Sequence, residues 1–287
     1  MKKILFLLSI IFFIQGCTVF AVDGKALLVN DDVWRLMESE DYNSALELIN
    51  KEIGDNDSDC RLYNTRALIK SDLKDFEGAE EDFAISIKLR PDYPTAYFNR
   101  GEMYYLNSPN WVLALSDFNM AIKLGYPSPW SYLNRGYIKL GLNDVSGALK
   151  DFNVVINDEV KNRIPENNFF DINPQLNNNY KIANVHMEKD YGDSEIKAYR
   201  GAAECYYRMN EYDKVIDMAN FSISISERNK FLNPRAYELR GLAKIFSVDK
   251  FEGILDLKIS KEHYVIQDDR ESLYRLDNMI KYYSEHY

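Results

Sequence analysis

The sequence predicts an all-α chain built from repeated helix–turn–helix units, and three observations predict it. First, a signature of Tyr, two residues, Arg, then Gly or Ala recurs around Arg66, Arg100, Arg135 and Arg240, with a shorter copy, Tyr199–Arg200–Gly201. These arginines step by 34, 35, 65 and 40 residues. Second, an aromatic or aliphatic residue followed three positions on by a small or aliphatic one appears downstream of most copies. The pairs are Tyr42…Ala45, Phe76…Ala79, Trp111…Ala114, Val145…Ala148, Tyr212…Val215 and Phe251…Ile254. Phe83, Phe118 and Phe152 continue three of these pairs, and positions three and four apart share one face of a helix. Third, turn-like clusters such as Leu142–Asn143–Asp144 separate the two signatures. A period near 34 residues means that each hairpin must bury its apolar face against a neighbour.

Taken in chain order, the first segment is an address. Lys2 and Lys3 precede an apolar run from Ile4 to Ile14, interrupted only by Ser9. That run is too short to span a bilayer, which takes about 20 residues, and has the form of a signal-peptide core. Ile14–Gln15–Gly16–Cys17 resembles the bacterial lipoprotein box. The resemblance implies a signal peptide over 1–16, lipidation of Cys17 and a linker over 17–25. Thr18, rather than Asp, follows the cysteine, which by resemblance to diderm lipoproteins implies, for a diderm source, the periplasmic side of the outer membrane. Cleavage after Ala21, giving a periplasmic or secreted protein without lipid, is the open alternative. Removing 1–16 takes the formal charge from −10 to −12.

Beyond residue 25 the repeats follow. A period near 34 with Gly or Ala at position 8, Ala at 20, an aromatic at 24 and Pro at 32 resembles the tetratricopeptide repeat (TPR). The copy from Cys60 to Tyr93 has Ala67, Ala79, Phe83 and Pro91 at those places. Copies starting at Pro94 and Pro129 follow, a weaker one covers 26–59, and looser ones cover about 194–227 and 234–262. The resemblance implies a right-handed superhelix, an α-solenoid of about six hairpins over 26–262. Residues 160–193, Asn-rich and holding Pro165 and Pro174, are either a degenerate hairpin or an insertion. Leu273, Leu276, Ile280 and Tyr283 form one apolar stripe, so 263–287 is expected to carry a C-terminal capping helix.

Composition and motifs narrow the function. A pI near 5.0 provides no basic field for nucleic acid. Three cysteines do not make a disulfide scaffold, and Cys60 and Cys205 are expected to be buried as small hydrophobes. Asp55, Asp57 and Asp59 have the start of a calcium-loop spacing, but Cys60 and Arg66 stand where that loop needs Gly and Glu. His186, His263 and His286 show no metal-ligand spacing, and no phosphate loop or serine elbow is present. No catalytic residue, metal or cofactor is therefore expected, and the chain is not expected to be an enzyme.

By the TPR resemblance, positions 2, 5, 6, 9 and 12 of each first helix line a concave groove. Those positions include Asn64, then Thr95, Phe98, Asn99, Glu102 and Tyr105, then Trp130, Leu133, Asn134 and Tyr137. Aromatics mixed with amides suit an extended or helical peptide. Asn99 and Asn134 stand where peptide-binding members of the family hold ligand backbone, whereas Trp130 and Asn134 stand where a carboxylate clamp would need Lys or Arg. The expected partners are a protein or peptide and, through the lipid, a membrane, with roles such as secretion-system or pilus assembly or substrate presentation to envelope proteases. The repeated arginines are expected to form exposed pairs with acids near Asp82 or Asp117, worth about 0.2–1 kcal/mol each.

Overall fold

The computed structural model describes residues 31–107, 110–126, 128–157, 194–247 and 249–286. Residues 1–30, with the expected signal, lipidation site Cys17 and linker, lie outside the described residues, as does all of 160–193, including His186. The described residues form thirteen α-helices and no strands. No helix among them is long and apolar enough to cross a membrane.

Two compact units divide the chain at Pro109. The first holds α1 (Asp31–Glu38), α2 (Tyr42–Asp55), α3 (Cys60–Asp72), α4 (Phe76–Leu89) and α5 (Pro94–Leu106). In the second are α6 (Trp111–Lys123), α7 (Pro129–Gly141), α8 (Val145–Ile156), α9 (194–208), α10 (Tyr212–Arg228), α11 (Pro234–Ser247), α12 (Lys250–Ile266) and α13 (Arg270–His286). Within each unit, helices adjacent in sequence pack as antiparallel hairpins and hairpins stack on one another.

The turns inside the hairpins follow one recipe. A residue in the left-handed region (Glu40, Lys74, Asn143, Asn210) ends the first helix, and an acidic residue stands next as N-cap of the second. Asp41, Asp75 and Asp144 accept hydrogen bonds from the backbone N–H of Ser44, Gly78 and Gly147, neutralising donors that a helix start leaves open.

The Tyr-x-x-Arg signature has a clear cause. Arg66 donates to both oxygens of Asp82 at 2.8 and 2.5 Å, Lys70 lies 2.8 Å from the same carboxylate, and the guanidinium stacks on Tyr63. Arg135, Lys139, Asp151 and Tyr132 repeat this arrangement, as do Arg240, Lys244, Asp256 and Tyr237. A third guanidinium nitrogen reaches an Asn on the helix before: Asn50, Asn119 or Asn220. These pairs are not the exposed contacts expected from sequence. The three carboxylates are only 1–4% accessible, so each is a buried charge neutralised by two cations. The α9–α10 hairpin departs from the set: Met218 stands at the Asp place and Glu204 at the Lys place, and Arg200 turns to the Tyr137 hydroxyl at 3.4 Å.

Phe83, Phe118 and Phe152 are fully buried. Phe152 fills the space left by two glycines: a methyl on Gly136 would stand 2.8 Å, and one on Gly201 2.5 Å, from its ring. Because Gly201 lies midway along α9, the first helix of the next hairpin, α9 packs directly on α7 and α8, with Ala198, Ala202 and Cys205 in one core with Leu133, Leu140 and Phe152. The helices flanking 158–193 thus meet in the register of consecutive hairpins.

One register differs from expectation. In α12 the small position is Gly253 rather than Ile254, and Phe251 is 77% exposed. Gly241 and Gly253 approach so closely that a methyl on either would stand 2.7 or 2.5 Å from the other's carbonyl oxygen, which no side chain at that position tolerates. The boundary of the cap also moves: α12 runs to Ile266, and α13 begins at Arg270. Its stripe packs as read, with Leu276 fully buried and Leu273, Ile280 and Tyr283 beside it.

Cys60 and Cys205 are both buried. Burial, followed by the Glu204 carboxylate, pushes the Cys205 thiol up to about 12. At pH 8 almost no thiolate forms, so a maleimide should leave Cys205 unmodified in the folded chain and label it in denaturant. Equal labelling rates in both states would mean that α9 does not stay seated on α7 and α8.

Candidate partner-binding face

The ten groove positions fall into two groups, one in each unit. In the first unit, Asn64 is buried on α3, while α5 carries buried Phe98 and half-buried Thr95, Asn99, Glu102 and Tyr105. The Asn99 side-chain amide donates to the Asn64 carbonyl oxygen at 3.1 Å. That bond ties α5 to α3 and leaves the Asn99 carbonyl oxygen without a hydrogen-bond partner among the described residues, available to a ligand N–H. Phe98, at 7% exposure, belongs to the core and offers little surface.

In the second unit, Leu133 is completely buried in the α7–α9 core and lines nothing. Asn134 is 7% exposed. Trp130 and Tyr137 are half-buried, but both engage α9. The Lys197 ammonium stands 4.1 Å above the Trp130 ring, and the Tyr137 hydroxyl donates to the Lys197 carbonyl at 2.8 Å. Arg208 completes the contact by donating to the Leu140 carbonyl at 2.8 Å, at the end of α7, where that oxygen also accepts the Asn143 N–H at 3.1 Å. Trp130 and Tyr137 therefore hold the next hairpin with part of their surface. Lys197 brings a cation to this face that spacing within one repeat could not disclose.

A charged cluster that the sequence analysis did not identify joins α9, α11 and α13. Glu238, with no exposed surface, receives Arg235 at 2.6 Å and both outer nitrogens of Arg275, and the Tyr264 hydroxyl lies 3.5 Å away. Arg235 also donates to Glu204 at 2.6 Å. Burial disfavours the charge on Arg235, but Glu238 and Glu204 outweigh it and raise the guanidinium pKa. Its hydrogen bond with Glu238 likewise raises that of Arg275, while burial and then the Glu238 charge push Tyr264 up. The cluster locks the capping helix to α11, since either arginine lost would leave a buried carboxylate underpaired.

The acidic run before α3 serves as a cap: Asp59 accepts from the Arg61 backbone at 2.9 Å and pairs with its guanidinium at 2.6 Å. Among the described residues no three His, Cys, Asp or Glu side chains group as metal ligands. His263 lies edge-on to Tyr237, its Nδ1 buried without a partner, and the His286 side chain is outside the described residues.

No protein-family model and no curated protein matches the sequence. Solved structures do match. Pseudomonas aeruginosa PilF is 11% identical with a TM-score of 0.63, over 87% of this chain and 95% of its own. YrrB, described as a TPR protein with an unusual peptide-binding site, is 15% identical with a TM-score of 0.56, over 80% and 97%. PilW, described as a widely conserved type IV pilus biogenesis factor, is 13% identical with a TM-score of 0.56, over 86% and 95%. At such identities the likeness establishes the fold, an all-α TPR solenoid.

Proposed function

We propose that this chain is a protein-interaction scaffold that takes a peptide segment of its partner on the inner faces of the first helices, and that Cys17 tethers it to a bacterial envelope membrane. The observation that carries the reading is the α3–α5 face. After Asn99 has bonded to Asn64, an amide acceptor remains beside half-buried Glu102 and Tyr105, the combination that an extended backbone with alternating side chains needs. YrrB's peptide site and PilW's part in pilus biogenesis support a scaffold role for a chain of this fold.

The test is capture of envelope proteins by a form starting at residue 23, which keeps every described helix. Partners retained by the parent but lost from Asn99→Ala/Tyr105→Ala support the reading; partners indifferent to those changes move the interface elsewhere. Turnover of a small molecule by the purified chain would overturn it. The tether is tested separately, since Cys17→Ser should release the protein from the membrane fraction, and unchanged fractionation removes the lipid from the proposal.

A further inference from the structure

The second unit carries an apolar surface apart from the groove positions. Along its turn edge, large apolar side chains are exposed at the start of α6 and at the turns of the α7–α8 and α11–α12 hairpins, with Tyr212 half-buried at the α9–α10 turn. Val112 is 73% exposed, Leu142 51%, Phe246 47% and Phe251 77%. Trp111 borders Leu142, since its ring occupies the space a side chain at Gly141 would need. Farther along, the rings of Tyr212, Phe246, Tyr283 and Tyr282 run in sequence with centroids 5.3–6.0 Å apart. Arg208, bonded to the Leu140 carbonyl, joins the two stretches. Turn edges of soluble helical hairpins are ordinarily polar, and an apolar row of this extent rimmed by charge marks an interaction surface.

The rim indicates the chemistry of what covers it. α8, α10 and α12 start on acidic N-caps, so Asp144, Glu211 and Asp249 recur along this edge, with Asp213 in the first turn of α10, while α6 starts on Asn110. Among the cations nearby, Lys214 pairs with Glu211 at 2.5 Å and lies over the Tyr206 ring, and Arg208 engages Glu204 and the α7 end. Asp144, Asp213 and Asp249 therefore carry the negative charge of the rim, with Lys250 and Lys281 beside Phe251 and Tyr282. A surface cavity of about 330 Å³ lined by Asn210, Glu211, Tyr212, Asp213, Lys214 and Ser247 adjoins the aromatic row; with Lys214 held by Glu211, Asp213 is the carboxylate it offers to a lysine or arginine end. The same carboxylates, and a net charge of −10, oppose an anionic bilayer.

We infer that this turn edge, from α6 to α13, is a second docking surface, and that its occupant is a partner segment bearing aliphatic or aromatic side chains flanked by lysine or arginine. It is independent of the inner-face site proposed above.

The probe is a designed amphipathic leucine–lysine peptide, labelled for fluorescence anisotropy, with a leucine–glutamate peptide of the same pattern as its counterpart. The leucine–lysine peptide should bind and the leucine–glutamate peptide should not. Val112→Ser/Phe246→Ser/Phe251→Ser should weaken binding at least about tenfold, while Asn99→Ala/Tyr105→Ala leaves it unchanged. All three edge residues are exposed, so unchanged thermal unfolding should confirm that the variant folds. Equal binding of the two peptides, no binding of either, or loss only in the Asn99/Tyr105 variant overturns the assignment. So does a concentration-dependent dimer, or adhesion to phosphatidylcholine vesicles, that the edge variant abolishes, because a second copy or a bilayer would then be the occupant.

Discussion

Asp151→Ala should destabilise the fold by about 3 kcal/mol, near the low end of the cost of breaking a buried ion pair. The carboxylate is 4% accessible and receives two hydrogen bonds from Arg135, at 2.9 and 2.6 Å, and Lys139 at 2.8 Å. Truncation leaves two cations facing a dry gap between α7 and α8. Both retain some access to water, at 16% and 22%, and Arg135 keeps Asn119 and Tyr132, which holds the loss below that of a fully enclosed charge. Removing all three charges together, as Arg135→Met/Lys139→Met/Asp151→Leu, should come within about 1–2 kcal/mol of the parent, because apolar replacements have no desolvation cost to offset. The α9–α10 hairpin already carries this exchange in part, with Met218 at the Asp place. Urea unfolding measures both variants. An Asp151→Ala midpoint indistinguishable from the parent would falsify the view that these pairs are structural.

Phe152→Ala should cost about 3–5 kcal/mol, the range for removing a fully buried aromatic and leaving its cavity. The larger consequence is positional. Phe152 touches Gly136 of its own hairpin and Gly201 of the next, so the cavity would open at the joint between α7–α8 and α9. Gly201→Ala alone should also destabilise, by about 1–3 kcal/mol, since the methyl would stand 2.5–2.7 Å from the ring. In the Phe152→Ala background that methyl has room, so the double variant should be more stable than the sum of the two losses by at least about 1 kcal/mol. Hydrogen exchange across α9 should rise in Phe152→Ala and recover in part in the double variant. Strict additivity would place Gly201 and Phe152 out of contact and remove the direct seating of α9 on α7 and α8.

The repeat was legible because each hairpin solves the same local problem. Tyr, Arg and Lys on a first helix and Asp on the second meet within one hairpin, so their chemistry recurs at a fixed spacing. The Asp lies 16 residues after the Arg in all three complete copies. The capping stripe was legible for the same reason, since Leu276 and its neighbours lie on one face of one helix. Spacing could not supply the dielectric around the charges, and so pairs read as solvent-exposed are buried. Nor could it settle α12, where Phe251 attracts the eye as a core aromatic; the approach of two backbones at Gly241 and Gly253 selects the register one residue earlier.

The candidate site shows the division most sharply. Leu133 and Phe98 stand at groove positions by repeat number, yet neighbouring helices cover them. Trp130 and Tyr137 meet Lys197, and Tyr137 reaches its carbonyl across 60 residues of chain, a separation that no repeat period encodes. The Glu204–Arg235–Glu238–Arg275 cluster likewise draws on three helices of different hairpins. By itself the sequence determined an all-α TPR solenoid and its helical cap, because those are written in spacings along one helix or within one hairpin. Which side chains remain free for a partner was decided only by stacking, because a helical face becomes core or surface according to the neighbour laid upon it.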